Sequence, residues 1–191
     1  MMNKDRCLLI LSGPSGSGKD TVVKRLMEIH NGMEISVSAT TREKRAGETE
    51  GESYYFITKE TFEEKIARGK ILEYTCYCGN YYGTPKSEID TRLQKNITTL
   101  LVIEVQGASN IKRLYPDCTT VFVRPPSYEE LSRRLHGRGT EDEDKITARL
   151  QRAVEEMNYA VDYDFVVVND DVDKCADEIY AILKQRQSES K

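Results

Sequence analysis

The sequence lacks the features by which proteins are exported, span a membrane or bind nucleic acid. Only about six apolar residues precede the first glycine-rich stretch, which is too few for a signal-peptide core or a membrane-spanning helix. The formal net charge of −4 comes from scattered charges, so there is no basic surface for a nucleic acid or an anionic membrane. We therefore expect a cytoplasmic protein that binds neither nucleic acid nor membrane.

Patterns typical of disulfide bridges and zinc sites are also missing. The five cysteines are scattered and odd in number, which indicates reduced thiols. Cys76 and Cys78 share one face of a predicted strand, a spacing that is poor for a disulfide, and no second pair completes a zinc site. The two histidines, His30 and His136, have no cysteine or carboxylate arrangement typical of metal ligation.

What the sequence does contain is the pattern of one well-buried α/β domain. Its 191 residues are 38% hydrophobic and 31% charged, which is an ordinary globular composition without repeats, linkers or low-complexity tracts. Apolar runs alternate with helical patterns, as expected for a parallel sheet flanked by helices. Five core strands are predicted, at residues 8–11, 33–38, 99–103, 119–123 and 165–168. Residues 39–85 are predicted to form a small β-rich insert with one helix, for which Thr58 is the expected N-cap. Ser87 is expected to cap the next helix, and a further helix is predicted at residues 108–115.

A glycine-rich loop lies between the first predicted strand and the first predicted helix, and it indicates phosphate binding. Its sequence is Gly13-Pro14-Ser15-Gly16-Ser17-Gly18-Lys19. The glycines let backbone N–H groups converge on anionic oxygens, and the new helix adds its positive N-terminal field. Lys19 can reach the outer phosphates of a nucleotide. The spacing and the flanking elements together predict a P-loop.

One position departs from the P-loop pattern. Asp20 stands where a Ser or Thr hydroxyl usually meets Mg²⁺, and Thr21 comes one place later. A carboxylate is also a hard oxygen ligand, so one hypothesis is that Asp20 holds the ion directly or through water. The other hypothesis is that Asp20 repels the triphosphate and weakens its binding. The sequence leaves both open.

Arginines recur in two polar segments elsewhere in the chain. Arg42 and Arg45 lie in a loop one strand beyond the P-loop, and they form either a solvated surface or an anion clamp. Arg134 and Arg149 belong to two predicted helices, which are joined by a glycine-containing hinge that carries Arg138. This segment is either a solvated helical hairpin or a mobile lid over a phosphoryl group.

Two further features concern the ligand crevice. Tyr54 and Tyr82 belong to a group of four insert tyrosines that either fill the insert core or direct hydroxyls at a polar ligand. Glu104 directly follows a buried strand, where side chains of an open α/β sheet point into the crevice. The segment Glu104-Val105-Gln106-Gly107 resembles a GTPase switch. No Asn-Lys-x-Asp segment for base recognition follows it, so a GTPase is not favoured.

Taken together, these motifs resemble the guanylate kinase family over residues 8–183. The resemblance depends on Gly13-Pro14-Ser15-Gly16-x-Gly18-Lys19, Ser36-Val37-Ser38-x-Thr40-Thr41-Arg42-x-x-Arg45-x-Gly47-Glu48, Gly79-Asn80-Tyr81-Tyr82-Gly83, Glu104-x-Gln106-Gly107, Arg134-Leu135-x-Gly137-Arg138-Gly139 and Val168-Asn169-Asp170-Asp171. It implies a P-loop three-layer core with a five-stranded parallel sheet, a small β-rich GMP-binding insert and a helical lid. The implied single domain, 1–191, has its core at 5–38, 86–133 and 160–187, its insert at 39–85 and its lid at 134–159.

The resemblance also implies an activity and a set of site residues. The activity is transfer of the γ-phosphoryl group of ATP, with Mg²⁺, to GMP and to its deoxy form, giving ADP and GDP. The implied ATP-binding residues are Gly13, Pro14, Ser15, Gly16, Ser17, Gly18, Lys19, Asp20, Thr21, Arg134, Asn169 and Asp170. The implied GMP-binding residues are Arg42, Arg45, Tyr54 and Tyr82 for the phosphate and Ser38, Glu73, Thr84 and Glu104 for guanine. The implied catalytic residues are Lys19, Arg45, Arg138 and Arg149, and the implied metal ligand is Asp20.

The proposed base recognition agrees with elementary chemistry. Guanine presents N1–H and N2–H₂ as adjacent donors that one carboxylate, Glu73, can accept together, whereas adenine presents an acceptor at N1. Val102 departs from the family, many of whose members carry an acidic residue at that position.

Two other functions stay open at this stage. One is a non-catalytic binding module, although such modules typically lose the loop lysine and the lid arginines. The other is a kinase for a different phosphorylated acceptor, which the guanine-reading set of Ser38, Glu73 and Thr84 argues against. We expect a monomer or a small homo-oligomer.

Overall fold

The protein is described here by a computed structural model that covers residues 7–77, 79–137 and 143–189. These ranges form nine strands, seven α-helices and one 3₁₀ turn in an α/β arrangement. The strands are β1 (Leu8–Ser12), β2 (Met33–Ile35), β3 (Ala39–Thr40), β4 (Tyr55–Phe56), β5 (Ile71–Tyr77), β6 (Asn80–Pro85), β7 (Thr98–Val102), β8 (Thr119–Arg124) and β9 (Phe165–Val168). The helices are α1 (Lys19–Ile29), α2 (Lys59–Ala67), α3 (Lys86–Gln94), α4 (Val105–Leu114), α5 (Tyr128–His136), α6 (Glu143–Met157) and α7 (Val172–Glu189).

Five strands form the parallel sheet that the sequence predicts, in the order β2-β7-β1-β8-β9. β1 is central, with Leu9 opposite Leu100 of β7 on one side and Thr119 of β8 on the other. A central parallel strand is covered on both faces, which explains why apolar residues follow one another without alternation in β1. This order also brings the loop after β1 to the middle of the carboxyl edge of the sheet.

Helices cover both faces of this sheet and produce the predicted three layers. On one face, Leu9 packs in a cluster that includes Leu26 of α1 and Ile179 of α7. On the other face, Ile10 packs in a cluster that includes Ile111 of α4. Burial of each of these side chains contributes about 1.5–3 kcal/mol of hydrophobic stabilisation. The packing holds the phosphate loop between two rigid elements.

The second sheet has the order β4-β3-β6-β5, and its strands come from the segment predicted to be a β-rich insert. Phe62 of α2 is fully buried and packs against Ala39 and Ile71 of this sheet. The Thr58 hydroxyl accepts a hydrogen bond from Thr61 N–H at 3.2 Å, so Thr58 is the predicted N-cap of α2. Helix α2 covers one face of this sheet, and the other face is available to form part of a cleft.

Three local predictions differ from the structure. Strand β2 ends at Ile35, because the next residues leave the core sheet to reach the second sheet. Ser87 was expected to cap α3 by its side chain, but the helix begins at Lys86, and Lys86 N–H donates to the Lys70 carbonyl at 2.8 Å. That tertiary hydrogen bond replaces the side-chain cap. Helix α4 begins at Val105, directly after Glu104, and is therefore longer at its start than predicted.

No helix in the described ranges is both long and apolar enough to cross a membrane. Four cysteines, Cys7, Cys76, Cys118 and Cys175, are free thiols, and Cys78 lies outside the described residues.

Candidate active site

The loop after β1 has a backbone conformation that depends on its glycines. Gly16 has a φ of +87° and Gly18 a φ of +81°, and Gly18 is the N-cap residue of α1. A side chain at Gly13 would overlap the carbonyl oxygen of Val123 in β8. The loop therefore lies close against β8 and leads directly into the N-terminus of α1, as a phosphate cradle requires.

Two residues predicted for the ATP site form one wall of this loop. Asn169 Nδ2 donates to the Ser17 carbonyl at 2.7 Å, and Arg134 Nη1 donates to the same oxygen at 3.1 Å. Arg134 Nη2 also donates to the Asn169 carbonyl at 2.9 Å. Arg134 is held by Glu130 at 2.7 Å, and the two neighbouring guanidinium groups lower the pKa of that carboxyl group to about 2. The wall thus presents a fixed cation beside the loop.

Two other predicted ATP-site residues are exposed and lie outside this network. The Asp170 carboxylate accepts a hydrogen bond from the Asp171 N–H at 2.7 Å, within its own turn. Thr21 lies exposed in the first turn of α1. The hydrogen bonds of the described residues do not connect either side chain to the loop.

The opposite wall of the loop is formed by α6. Arg149 Nη2 donates to the Ser15 hydroxyl at 2.9 Å, so a predicted catalytic arginine does reach the loop. The Ser15 N–H donates to Glu156 at 3.2 Å, and Arg152 Nε donates to Glu156 at 2.7 Å. Glu156 is buried, and these donors balance its charge. Arg138, the other predicted lid arginine, lies outside the described residues.

The residues predicted to hold the GMP phosphate form a second group, which we call the Arg42 centre. It consists of Arg42, Arg45, Tyr54 and Tyr82, together with Glu48. Arg42 is paired with both carboxylate oxygens of Glu48, at 3.0 and 2.6 Å, and its guanidinium lies 5.5 Å from the centre of the Tyr54 ring. The Tyr54 ring meets the Tyr82 ring edge-on at 6.0 Å. The Arg42 partner lowers the pKa of Glu48 to about 2 and Glu48 raises that of Arg42. Arg45 joins this group through its backbone, which donates to Glu48 at 2.7 Å, while its side chain is exposed.

The residues predicted to bind guanine surround a buried carboxylate. Glu73 is 6% exposed, and the Thr84 hydroxyl donates to one of its oxygens at 2.5 Å. Burial raises the pKa of Glu73, the Thr84 hydrogen bond opposes this, and the charge of Glu104 adds to the rise. Gly107 lies so close to Glu73 that any side chain there would overlap the carboxylate. Because burial deprives the carboxylate of hydrogen bonds from water, it is suited to accept hydrogen bonds from a ligand instead.

Glu104 and Ser38 occupy the margins of this pocket. Glu104 is the N-cap residue of α4, and it accepts a hydrogen bond from Arg152 Nη2 at 3.3 Å. The Ser38 carbonyl accepts a hydrogen bond from the Tyr55 N–H at 2.9 Å, which ties Ser38 to β4.

The start of α1 and the Arg42 centre lie within electrostatic range of each other. Burial raises the pKa of the Tyr54 hydroxyl, and the negative charge of Asp20 in α1 contributes to the same rise. Arg152 of α6 contacts the residues predicted for guanine, because it donates to Glu104 at 3.3 Å, and its guanidinium lies 5.7 Å from the centre of the Tyr77 ring.

Sequence reasoning did not assign three residues that complete this site. Glu48 is the last residue of the motif that begins at Ser36, and its position six residues after Arg42 could have indicated an ion pair. Arg152 and Glu156 are one helical turn apart on α6, but nothing in the sequence indicated that they meet Ser15 and Glu104.

Comparisons with known proteins agree with this geometry. The family description that matches residues 5–186 is "Guanylate kinase". The guanylate kinase of Clostridioides difficile is 46% identical over 188 residues, covering 98% of this chain and 92% of that protein. The guanylate kinase of Synechocystis is 44% identical over 180 residues, covering 94% of both chains. The crystal structure of guanylate kinase from Anaplasma phagocytophilum superposes with a TM-score of 0.79 at 36% identity, covering 97% of this chain and 88% of that one. These matches over nearly the full length show that the chain belongs to the guanylate kinase family.

Proposed function

We propose that this chain transfers the γ-phosphoryl group of ATP to the phosphate of GMP, giving ADP and GDP. The observation that supports this function is the grouping of the glycine-dependent loop before Lys19 with the Arg42 centre and the buried Glu73. The charge of Asp20 acts on Tyr54 beside Arg42, and the charge of Glu104 acts on Glu73. The phosphate loop and its two walls are suited to a triphosphate. The Arg42 centre is suited to a monophosphate, and Glu73 with Thr84 to the donor edge of guanine.

In this proposal the protein contributes positioning and charge. Phosphoryl transfer passes through a loose transition state in which negative charge spreads over the transferred group. Lys19, Arg45 and Arg149 would neutralise that charge, with Arg138 as a further lid residue, and closure of α6 would exclude water as a competing acceptor. The phosphate of GMP is ionised at neutral pH and is already a competent nucleophile, so no catalytic base is required.

The alternatives are less well supported. A binding module without activity has no need of Lys19 or of Arg149 placed on the loop. A kinase for another nucleotide would leave the buried Glu73 facing a base edge without the two adjacent donors of guanine. A monomeric or small oligomeric state and a cytoplasmic location stay predictions from the sequence.

A panel of acceptors tests the proposed function. The chain is assayed with ATP and Mg²⁺ against GMP, AMP, UMP and CMP at equal concentrations, with ADP formation as the readout. We expect turnover with GMP at least about 10²-fold above that with AMP, because the site is built for hydrogen-bond donors that adenine lacks. Equal turnover with all four acceptors, or GMP binding without ADP formation, would contradict the proposal.

Mg²⁺ is the cofactor that the family implies, and Asp20 is the residue we assign to it. No cluster of three His, Cys, Asp or Glu side chains occurs within the described residues, so most of the ligands would come from phosphate oxygens and water. Asp20 offers an exposed carboxylate in the first turn of α1, beside the loop. This donor suits a hard cation that keeps several waters, and bound Mg²⁺ would offset the repulsion between Asp20 and the triphosphate.

The assignment predicts that Asp20→Asn weakens metal binding about tenfold, because one anionic oxygen ligand is lost. The measurement is the Kd of Mn²⁺, followed by its EPR signal, in the presence of a non-hydrolysable ATP analogue. The control is Asp173→Asn, since Asp173 is an exposed carboxylate in the first turn of α7. An unchanged or tighter Kd for Asp20→Asn would favour the repulsion hypothesis instead.

A further inference from the structure

A second buried carboxylate, Glu88 of α3, lies outside the site described above. It is 7% exposed, and three groups from different parts of the chain donate to its oxygens. The Val37 N–H donates at 2.8 Å, the Tyr55 hydroxyl at 2.8 Å and Arg92 Nη1 at 2.6 Å. The hydrogen bond to Glu88 is the main cause that raises the pKa of Tyr55. Each oxygen of this carboxylate therefore has a defined partner.

These partners bracket the segment that carries Ser38. Val37 immediately precedes Ser38 in the crossing from β2 to β3, and its N–H is held by Glu88. On the other side, the Tyr55 N–H donates to the Ser38 carbonyl at 2.9 Å, and the ring of Tyr55 ends in the hydroxyl that Glu88 accepts. Ser38 is thus linked to Glu88 in two ways, through its neighbour Val37 and through Tyr55, and both links end on the Glu88 carboxylate.

The cation among these three partners, Arg92, fixes Glu88 itself. Arg92 follows Glu88 by one helical turn, donates to the Glu88 carbonyl at 3.0 Å and pairs with Glu34 at 3.2 Å. Glu34 belongs to β2, so the cluster joins α3, the core sheet and the second sheet. Burial of a carboxylate is costly unless it is fully hydrogen-bonded, and an apolar residue could pack here without that cost. The carboxylate instead supplies directed contacts to the Ser38 segment.

We propose that Glu88 is a positioning residue for the acceptor, which holds Ser38 and the adjoining β4 at the guanine pocket. This inference rests on the proposed function, since it deepens the account of the same GMP site. It has a specific consequence for kinetics. Loss of the Glu88 contacts would loosen the acceptor pocket, whereas the phosphate loop, which Glu88 does not contact, would keep its geometry.

The test compares Glu88→Gln, Tyr55→Phe and the control Glu64→Gln in the full chain. For Glu88→Gln we expect KM for GMP to rise about tenfold, with KM for ATP and kcat within about twofold of wild type, because one amide oxygen cannot serve all three donors. Tyr55→Phe removes a single donor and should raise KM for GMP about threefold. Glu64 is more than half exposed on α2 and pairs with Arg68 of the same helix, outside the Glu88 cluster, so Glu64→Gln should leave both KM values unchanged.

For each variant, GMP binding is also measured directly by calorimetry, and the melting temperature is measured to detect a loss of stability. A double variant, Glu88→Gln with Tyr55→Phe, should be no worse for GMP than Glu88→Gln alone, because both changes remove the same contact. An unchanged KM for GMP in Glu88→Gln and Tyr55→Phe, or equal losses for GMP and ATP, would overturn the inference. If Glu88→Gln does not fold, Tyr55→Phe alone decides by the same criterion. A wild-type chain that neither binds nor phosphorylates GMP would overturn the proposed function as well, so the two failures are distinguishable.

Discussion

Replacement of Lys19 by alanine is expected to lower kcat for GMP phosphorylation by about 10²–10³-fold, the usual effect of removing one charge-stabilising group from a preorganised site. Lys19 is the first residue of α1, directly after the N-cap residue Gly18 of the phosphate loop. Its ammonium group would stabilise the negative charge that spreads over the transferred phosphoryl group in the transition state. Initial rates at saturating ATP and GMP measure this effect.

The matched control is Lys24→Ala on the same helix. Lys24 is highly exposed and makes only a long 4.0 Å ion pair with Glu28, so its loss should leave kcat within about twofold of wild type. Both variants should keep the far-ultraviolet circular dichroism of the wild type, because neither removes a buried contact. A Lys19→Ala enzyme with wild-type turnover would mean that the loop does not bind the reacting phosphates.

The second large effect is expected for Glu73→Gln, with a fall in kcat/KM for GMP of about 10²-fold. A carboxylate can accept both guanine donors, whereas an amide presents one acceptor and one donor group to them. Hydrogen bonds to a charged group contribute about 1.5–3 kcal/mol each, and 1.4 kcal/mol corresponds to a factor of ten. The same amide can pair with the donor and acceptor edge of adenine, so the ratio of GMP to AMP turnover should fall.

The pH dependence of Glu73→Gln provides an independent readout. Because the pKa of Glu73 is raised by burial, its carboxylate should take up a proton at a higher pH than an ordinary glutamate does. As the pH falls, kcat/KM for GMP in the wild type should therefore decline through this raised pKa, and Glu73→Gln should lack that component. GMP itself titrates in both proteins, so the difference between the two profiles isolates Glu73.

Stability should change in the opposite direction to activity. A group whose pKa is raised in the folded state stabilises the fold at low pH, and this contribution is lost as the pH rises through the folded pKa. At neutral pH the ionised Glu73 is thus a cost to the fold, and Glu73→Gln should melt at the same temperature or higher. The control Glu64→Gln, at an exposed site on α2, should change neither activity nor stability beyond about 0.5 kcal/mol. A lower melting temperature with unaltered GMP selectivity would contradict the assigned role.

The sequence predicted those parts of the molecule that depend on local spacing. The phosphate loop could be recognised because its glycines, its lysine and the flanking elements lie within one short stretch. The burial of β1 on both faces followed from its uninterrupted apolar run, which is typical of a doubly covered parallel strand. Glu104 could be placed at the crevice because it directly follows a parallel strand.

The contacts that complete the site could not be predicted, because they join distant parts of the chain. Glu156 reaches Ser15 across 141 residues, and Glu88 reaches Val37 across 51. On the sequence alone, both glutamates look like ordinary polar residues of amphipathic helices. The expected Ser87 cap failed for the same reason, since the Lys70 carbonyl supplied the start of α3 with a tertiary partner.

The most direct test of the central claim follows the transferred group itself. The chain is incubated with ATP labelled at the γ-phosphate, with Mg²⁺ and with GMP, and the products are separated by ion-exchange chromatography. We expect the label in the β-phosphate of GDP, in an amount equal to the ADP formed, and none transferred when AMP replaces GMP. Label released as inorganic phosphate, or ATP left intact beside bound GMP, would contradict the claim that this cleft joins the two nucleotides for direct phosphoryl transfer.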